Sequence, residues 1–204
     1  MDMADLEPID VMTDEELARE ARAGSRRSFE ELARRYKRRL FVYLRPRLGS
    51  DEDAEDMVQE TFFKLYRNIG SYDPAFRFST WLYTSAGRLA ISSYRKKKPA
   101  TRSLSEAEAG RLADPAAGPA GGAEATGLWD AARTLGGSQF RVLWLRYGED
   151  LTIEEIAGTV GKSRLAVRLL LHRARTNLMK RIGPARLGAA AVAKTAAVRG
   201  TPLG

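Results

Sequence analysis

The sequence predicts an all-α protein: two small helical domains joined by a flexible linker. Apolar residues recur at the three-to-four spacing of helices in two blocks, about 13–98 and 128–182. No stretch alternates with period two over a convincing strand length. Between the blocks, residues 99–127 are rich in Ala, Gly, Pro and Ser, carry Asp114-Pro115 and Gly118-Pro119 as breakers, and show no sustained apolar period. A chain of 204 residues suits this division, since single domains usually run ~100–150 residues.

Taken in order, residues 1–12 form an acidic N-terminal segment. Thr13, with Glu16 three residues on, makes a capping-box start. Phe29, Leu32, Ala33, Tyr36, Leu40, Tyr43 and Leu44 then follow the spacing of a buried stripe, and Pro46 and Gly49 are expected to break that helix. Ser50 or Asp51 can cap the next. Winding residues 53–68 at ~100° per residue places Ala54, Val58, Thr61, Phe62, Leu65 and Ile69 on a core side. Asp56, Gln59, Glu60, Phe63 and Arg67 fall opposite. Two readings fit that acidic face: a docking surface for a basic partner helix, with Phe63 at its centre, or a solvated face whose acids favour a helix N-terminus.

Gly70 ends that helix and Asp73-Pro74 forces a turn, with Ser79 expected to cap a helix through Trp81 that ends in Tyr94-Arg-Lys-Lys-Lys98. Aromatic residues interleaved with bases suit single-stranded nucleic acid, because bases stack on rings while cations track phosphates. Tyr72, Phe76, Arg77 and Tyr83 are the contact candidates; Phe78, Trp81 and Leu82 also read as core. Within the linker, Leu104–Leu112 can form one short helix.

Residues 151–182 read as a helix-turn-helix. Thr152 and Glu155 make a second capping box, Ile153, Ile156, Ala157 and Val160 an apolar stripe, and Gly161 a left-handed stop. Ser163 caps a second helix with Val167, Leu171, Ala174 and Leu178 inward and Arg164, Arg168, His172, Arg173 and Arg175 outward. A helix so built suits the major groove, where arginine reads guanine bidentately. An ordinary helical hairpin with a basic face is the other reading. Residues 183–204 are an Ala- and Gly-rich basic tail without an amphipathic stripe.

Charge and composition narrow the function. The chain has 34 Lys and Arg against 26 Asp and Glu, a net +8. Residues 1–20 hold eight acids and one base, whereas no acid follows Glu155 and ten bases do. A basic C-terminal module attracts polyphosphate. The absence of cysteine excludes disulfides, a thiolate metal site and a cysteine nucleophile, and one histidine, His172, is too few for a typical zinc or His-paired catalytic centre. No enzyme activity, metal or cofactor is expected. No apolar run reaches the ~20 residues of a membrane span and the acidic start lacks a signal-peptide pattern, so a cytoplasmic protein is expected.

The collinear set Thr13-Asp-Glu-Glu-Leu, Phe29-Glu-Glu-Leu, Asp53-Ala-Glu-Asp-Met-Val-Gln-Glu-Thr-Phe62, Phe78-Ser-Thr-Trp-Leu-Tyr83, Leu151-Thr-Ile-Glu-Glu-Ile-Ala157 and Leu171-His-Arg-Ala-Arg175 resembles bacterial RNA polymerase sigma factors of the sigma-70 family, extracytoplasmic-function (ECF) group. The resemblance implies sigma domain two over 13–98 and sigma domain four over 128–182. It implies that Asp56, Gln59, Glu60 and Phe63 dock on the clamp helices of the largest subunit of the polymerase core. Tyr72, Phe76, Arg77, Trp81, Arg88 and Arg95 would open and hold the minus-ten promoter element. Arg164, Arg168, Leu169, His172, Arg173 and Arg175 would read the minus-thirty-five element. An anti-sigma factor is a further implied partner, and no small-molecule substrate is. The competing function is a stand-alone helix-turn-helix DNA-binding regulator, which leaves the acidic helix and the aromatic–basic loop unexplained.

Three places depart from the family pattern. Gly87-Arg88-Leu89-Ala90-Ile91-Ser92 replaces an Arg-Asn with a later Asp. Leu135-Gly136-Gly137 replaces a Leu-Pro start. Arg168-Leu169-Leu170 stands where Lys-Ser-Arg is common. Leu169, nearly opposite the core side, has three readings: contact with thymine methyls, packing against a partner such as an anti-sigma protein, or cover by the Ala-rich tail.

Overall fold

The computed structural model describes residues 9–48, 50–97 and 123–182, without side chains for 94–97 and 123–126. Among them are eight α-helices: α1 (Asp14–Arg22), α2 (Arg26–Leu48), α3 (Asp51–Arg67), α4 (Phe78–Lys97), α5 (Ala123–Arg133), α6 (Gly137–Leu143), α7 (Ile153–Val160) and α8 (Arg164–Ile182). They divide into two compact units: α1–α4, to which α7 is joined, and α5, α6 and α8. The sequence reading instead groups α7 with α8. Residues 1–8, most of the expected linker with its short helix, and the tail lie outside the described residues.

In the first unit, Thr13 starts α1 with the expected reciprocal cap. Its N–H donates to Glu16 Oε2 at 2.7 Å, and its Oγ1 accepts from the Glu16 N–H at 3.2 Å. The Thr13 hydroxyl, which donates to Glu16 Oε2 at 2.7 Å, and then the Thr13 N–H hold the Glu16 carboxyl below its usual range. α2 is the spine, packing on α1 and α3, while α4 packs on α3 and α2. The predicted stripe of α2 is inward, with Phe29, Leu32, Tyr36, Leu40, Tyr43 and Leu44 buried and Ala33 half-buried. Tyr43 meets Tyr83 edge-on at 4.8 Å between centroids. Arg35 also ties down the start of the described chain. Its guanidinium donates to the carbonyls of Ile9, Asp10 and Met12 at 2.7–3.2 Å and to Asp14 Oδ1 at 3.0 Å.

Two expected boundaries move. Pro46 does not end α2, which continues to Leu48. The lost N–H bond falls in the last turn, just beyond the buried anchors Val42, Tyr43 and Leu44. Ser79 is not the cap of α4, because the Arg77 carbonyl already accepts from Trp81 N at 3.3 Å and the helix begins at Phe78. The Phe78 N–H donates instead to Glu15 Oε1 of α1 at 3.4 Å, so a carboxylate from another helix serves this terminus.

The second unit closes around three rings. Trp129 lies 5.0 Å from Trp144 and 6.2 Å from Phe140, and Phe140 lies 5.9 Å from Trp144. α8 covers this core with Val167, Leu171, Ala174 and Leu178, the stripe read from the sequence. α5 begins at Ala123, so the last residues of the expected linker are helical: Ala123-Glu124-Ala125 favours helix, and Gly127 sits inside it. Gly136, with no side chain to offer, is the N-cap of α6. A π-helical turn, Trp144–Gly148, follows α6. A Cβ on Gly148 would meet the Trp144 ring at 3.3 Å, a tight contact that the buried ring would have to yield to by a few tenths of an ångström.

Glu31 is the acid most enclosed by cations in the first unit. Its side chain is 7% exposed and accepts from Arg34 Nε, Arg34 Nη2 and Arg35 Nε, each at 2.7 Å. Arg34 first, then Arg35, hold its carboxyl at about 2 against the opposing effect of burial. A carboxyl so lowered contributes stability that is present above its ordinary value of 4.5 and disappears as pH falls towards about 2. Glu31→Gln should therefore be less stable than the parent at pH 6. The gap in urea midpoint should close between pH 4.5 and 2, and a constant gap would contradict this.

Candidate functional site

α3 is fixed by its inner side. Ala54, Met57, Val58, Thr61 and Leu65 are buried, Phe62 and Ile69 are half-buried, and the Thr61 hydroxyl donates to the Met57 carbonyl at 2.6 Å. Phe29 of α2 meets Phe62 at 6.5 Å and Tyr66 at 5.0 Å, setting the rotation of α3. Ser50 caps the helix, accepting from Asp53 N at 3.1 Å. The outer side then carries Asp56, Gln59, Glu60 and Phe63, all exposed, with Phe63 at 62%. Glu60 pairs with Lys64 at 2.9 Å, and the Arg67 guanidinium lies 5.7 Å from the Phe63 centroid. Glu52, one turn before Asp56, extends the same exposed stripe. Sequence reasoning missed Tyr66, 46% exposed, although its place one turn after Phe62 was readable.

The loop after α3 separates supporting from presented aromatics. Tyr72, expected to face DNA, is 1% exposed: it sits 5.4 Å from Trp81 and 6.0 Å from Phe78. Its hydroxyl donates to the Phe76 carbonyl at 2.7 Å. Burial first, then Glu15, pushes that phenol up to about 12, so it remains a donor. Tyr83 is likewise buried, against Tyr43. The large rings close the gap between α1, α2 and α4, which is why neither faces solvent. Asp73 folds the loop back, its carboxylate accepting from Ala75 N at 3.0 Å and its carbonyl from Phe76 N at 3.1 Å. Phe76, at 59%, and Arg77 are thereby presented to solvent. Trp81 is half-buried, and Ser85, Arg88 and Ser92 continue its stripe along α4 at helical spacing. The side chain of Arg95 lies outside the described residues.

α7 ends where expected. Gly161 has φ +65°, and the Lys162 N–H donates to the Ala157 carbonyl at 3.1 Å. Ser163 Oγ accepts from Ala166 N at 3.2 Å and starts α8. Arg164, Arg168, Leu169, His172, Arg173 and Arg175 are all exposed, with Leu169 opposite the buried stripe and Arg164 and Arg175 along its border. Leu165 was not singled out in the sequence, yet it is 66% exposed, and Leu169 is 51% exposed. α8 contains no acid.

The family model for sigma-70 region 2 matches residues 32–99, and that for sigma-70 region 4 matches residues 133–180. The RNA polymerase sigma factor YlaC of Bacillus subtilis is 32% identical over 165 residues, 79% of this chain and 95% of that protein. The ECF RNA polymerase sigma factor SigW of the same organism is 38% identical over 81 residues, 40% of this chain and 43% of SigW, so the match spans less than half of that relative. A solved structure of the sigma factor RpoE in complex with the anti-sigma factor NepR from Bartonella quintana aligns with TM-score 0.59 at 20% identity, covering 78% of this chain and 99% of that one. At that identity the likeness is one of fold. A region-2 body carrying an acidic, aromatic-bearing helix, and a region-4 body ending in a basic helix, define a class. The chain belongs to the sigma-70 family of RNA polymerase sigma factors, in its extracytoplasmic-function group.

The division between supporting and presented rings predicts opposite costs. Tyr72→Ala should destabilise the fold by ~3–5 kcal/mol, the range for emptying a buried aromatic site, and Phe76→Ala by less than ~0.5 kcal/mol. Urea denaturation of the two variants measures both, and equal losses would contradict the assignment.

Proposed function

We propose that this chain binds RNA polymerase core and directs initiation at promoters of a small gene set, a task of recruitment and strand opening rather than of covalent catalysis. The observation that carries the reading is the exposed Phe63 ring beside Asp56, Gln59 and Glu60 on a helix whose opposite side packs into the core through Ala54, Val58, Thr61 and Leu65. A large exposed apolar group rimmed by acids suits a basic partner helix, with the ring as anchor and the carboxylates as rim. The polymerase clamp helices are the partner proposed.

Phe76 and Arg77, with Trp81 and Arg88 behind them, are proposed to hold the unpaired non-template strand of the minus-ten element, rings against bases and guanidiniums against phosphates. Arg95 is proposed as a further phosphate contact. Tyr72 is assigned a supporting role instead. α8 is proposed to enter the major groove of the minus-thirty-five element through Arg164, Arg168, Leu169, His172, Arg173 and Arg175. Residues 13–98 and 128–182 are taken as the two functional domains. Among the described residues no helix is long and apolar enough to cross a membrane. The work is assigned to the cytoplasm, where polymerase and chromosome meet. RpoE of Bartonella quintana is held by an anti-sigma factor in its solved complex, and a comparable partner is proposed here.

Phe63→Ala and Glu60→Lys should each weaken capture of purified core polymerase by the full chain while leaving duplex DNA binding intact. A chain that binds duplex DNA but never core would be a stand-alone regulator, and the proposal would fail. Arg168→Ala should cost ~1–3 kcal/mol in holoenzyme affinity for the upstream element if Arg168 reads a base; unchanged promoter binding would remove it from the set.

A further inference from the structure

We propose that Leu165 and Leu169 read the C5-methyl groups of thymines in the upstream element, an assignment that rests on α8 being the promoter-reading helix. Both side chains lie in the first two turns of α8, 66% and 51% exposed. Among the described residues they stay exposed to solvent, and water gives a leucine no gain. They are flanked by exposed arginines, Arg164 and Arg168 on one edge and Arg173 on the other, on a helix without acids. The occupant of such a surface must be anionic along both rims and apolar between them.

Duplex DNA meets that description. Its phosphates border a major groove that admits an α-helix, and the thymine methyl is the apolar group displayed on the groove floor. A protein helix would have to bring acids along both edges and small apolar groups between them. The N-terminal residues of a reading helix are those that reach base edges, and Leu165 and Leu169 are the second and sixth residues of α8. At a rise of ~1.5 Å per residue they stand ~6 Å apart, close to two base-pair steps of ~3.4 Å. The arginines then fix register and read guanine, while the leucines reject cytosine, which lacks the methyl group.

The test uses holoenzyme assembled from the full chain and polymerase core. Duplexes randomised upstream of a fixed minus-ten element are selected for binding, and each thymine of the enriched upstream element is then replaced singly by deoxyuridine, which removes only the methyl. The parent protein should lose about three- to fivefold in affinity at one or two positions, the worth of one buried methyl. Leu169→Ala should abolish the penalty at one position and Leu165→Ala at the other. Arg168→Ala should bind more weakly yet keep both penalties. Both leucines are exposed, so neither change threatens folding. Deoxyuridine without effect on the parent, or penalties that survive in both alanine variants, would overturn the assignment. So would Leu165→Ala and Leu169→Ala variants that bind promoters normally but lose a co-purifying protein, since the stripe would then belong to that partner. Failure to enrich any upstream element is a separate result: it removes α8 as the reading helix, and this inference with it.

Discussion

The grip of α2 on α3 through Phe29 is the contact on which the first unit's outer surface depends. An α-helix turns ~100° per residue, so a helix that buries one stripe has its remaining faces decided at the same moment. Phe29 lodges against Phe62 and Tyr66, and Ala54, Val58, Thr61 and Leu65 fill the space beneath. Thr61 can lie there because its hydroxyl returns to the helix's own backbone. Each large apolar side chain so buried contributes ~1.5–3 kcal/mol. Rotation by a single residue would bury carboxylates and expose valine and leucine. The anionic outer face is therefore a residue of core packing, held as firmly as the core itself.

The loop that follows works on a different principle. Its presented ring, Phe76, is 59% exposed and so has little packing of its own to position it. Position comes from beneath, through the Tyr72 hydroxyl and the turn made by Asp73. A loop held by its own bonds loses less freedom when it engages a partner. α8 joins both principles, a buried stripe that sets its rotation and an outer surface with bases but no acids, which repels other basic surfaces and draws in phosphates.

Helical periodicity made much of this legible in advance. The stripes of α2, α3 and α8 are amphipathic over two turns or more, and the caps at Thr13, Ser50 and Ser163 follow from local chemistry that a short window contains. The family likeness supplied roles that periodicity cannot. What escaped the sequence depends on distant parts of the chain. Tyr72 and Phe76 are both aromatic loop residues, and only the arrival of α4 decides which is enclosed. Glu15 replaces Ser79 at the start of α4 from 63 residues away. Arg35 gathers backbone carbonyls more than twenty residues upstream. Leu165, 66% exposed, was legible from its helical offset relative to Val167.

The Arg67 guanidinium stands 5.7 Å from the centroid of the Phe63 ring. A bare phenyl ring on a free protein invites self-association with other copies. A cation near its face is worth ~0.5–1 kcal/mol at an exposed site, and the ring, still 62% exposed, has in it one charged neighbour of its own. Because Arg67 sits on the same helix one turn further on, its side chain can swing aside without any backbone rearrangement and leave the ring free to take another contact.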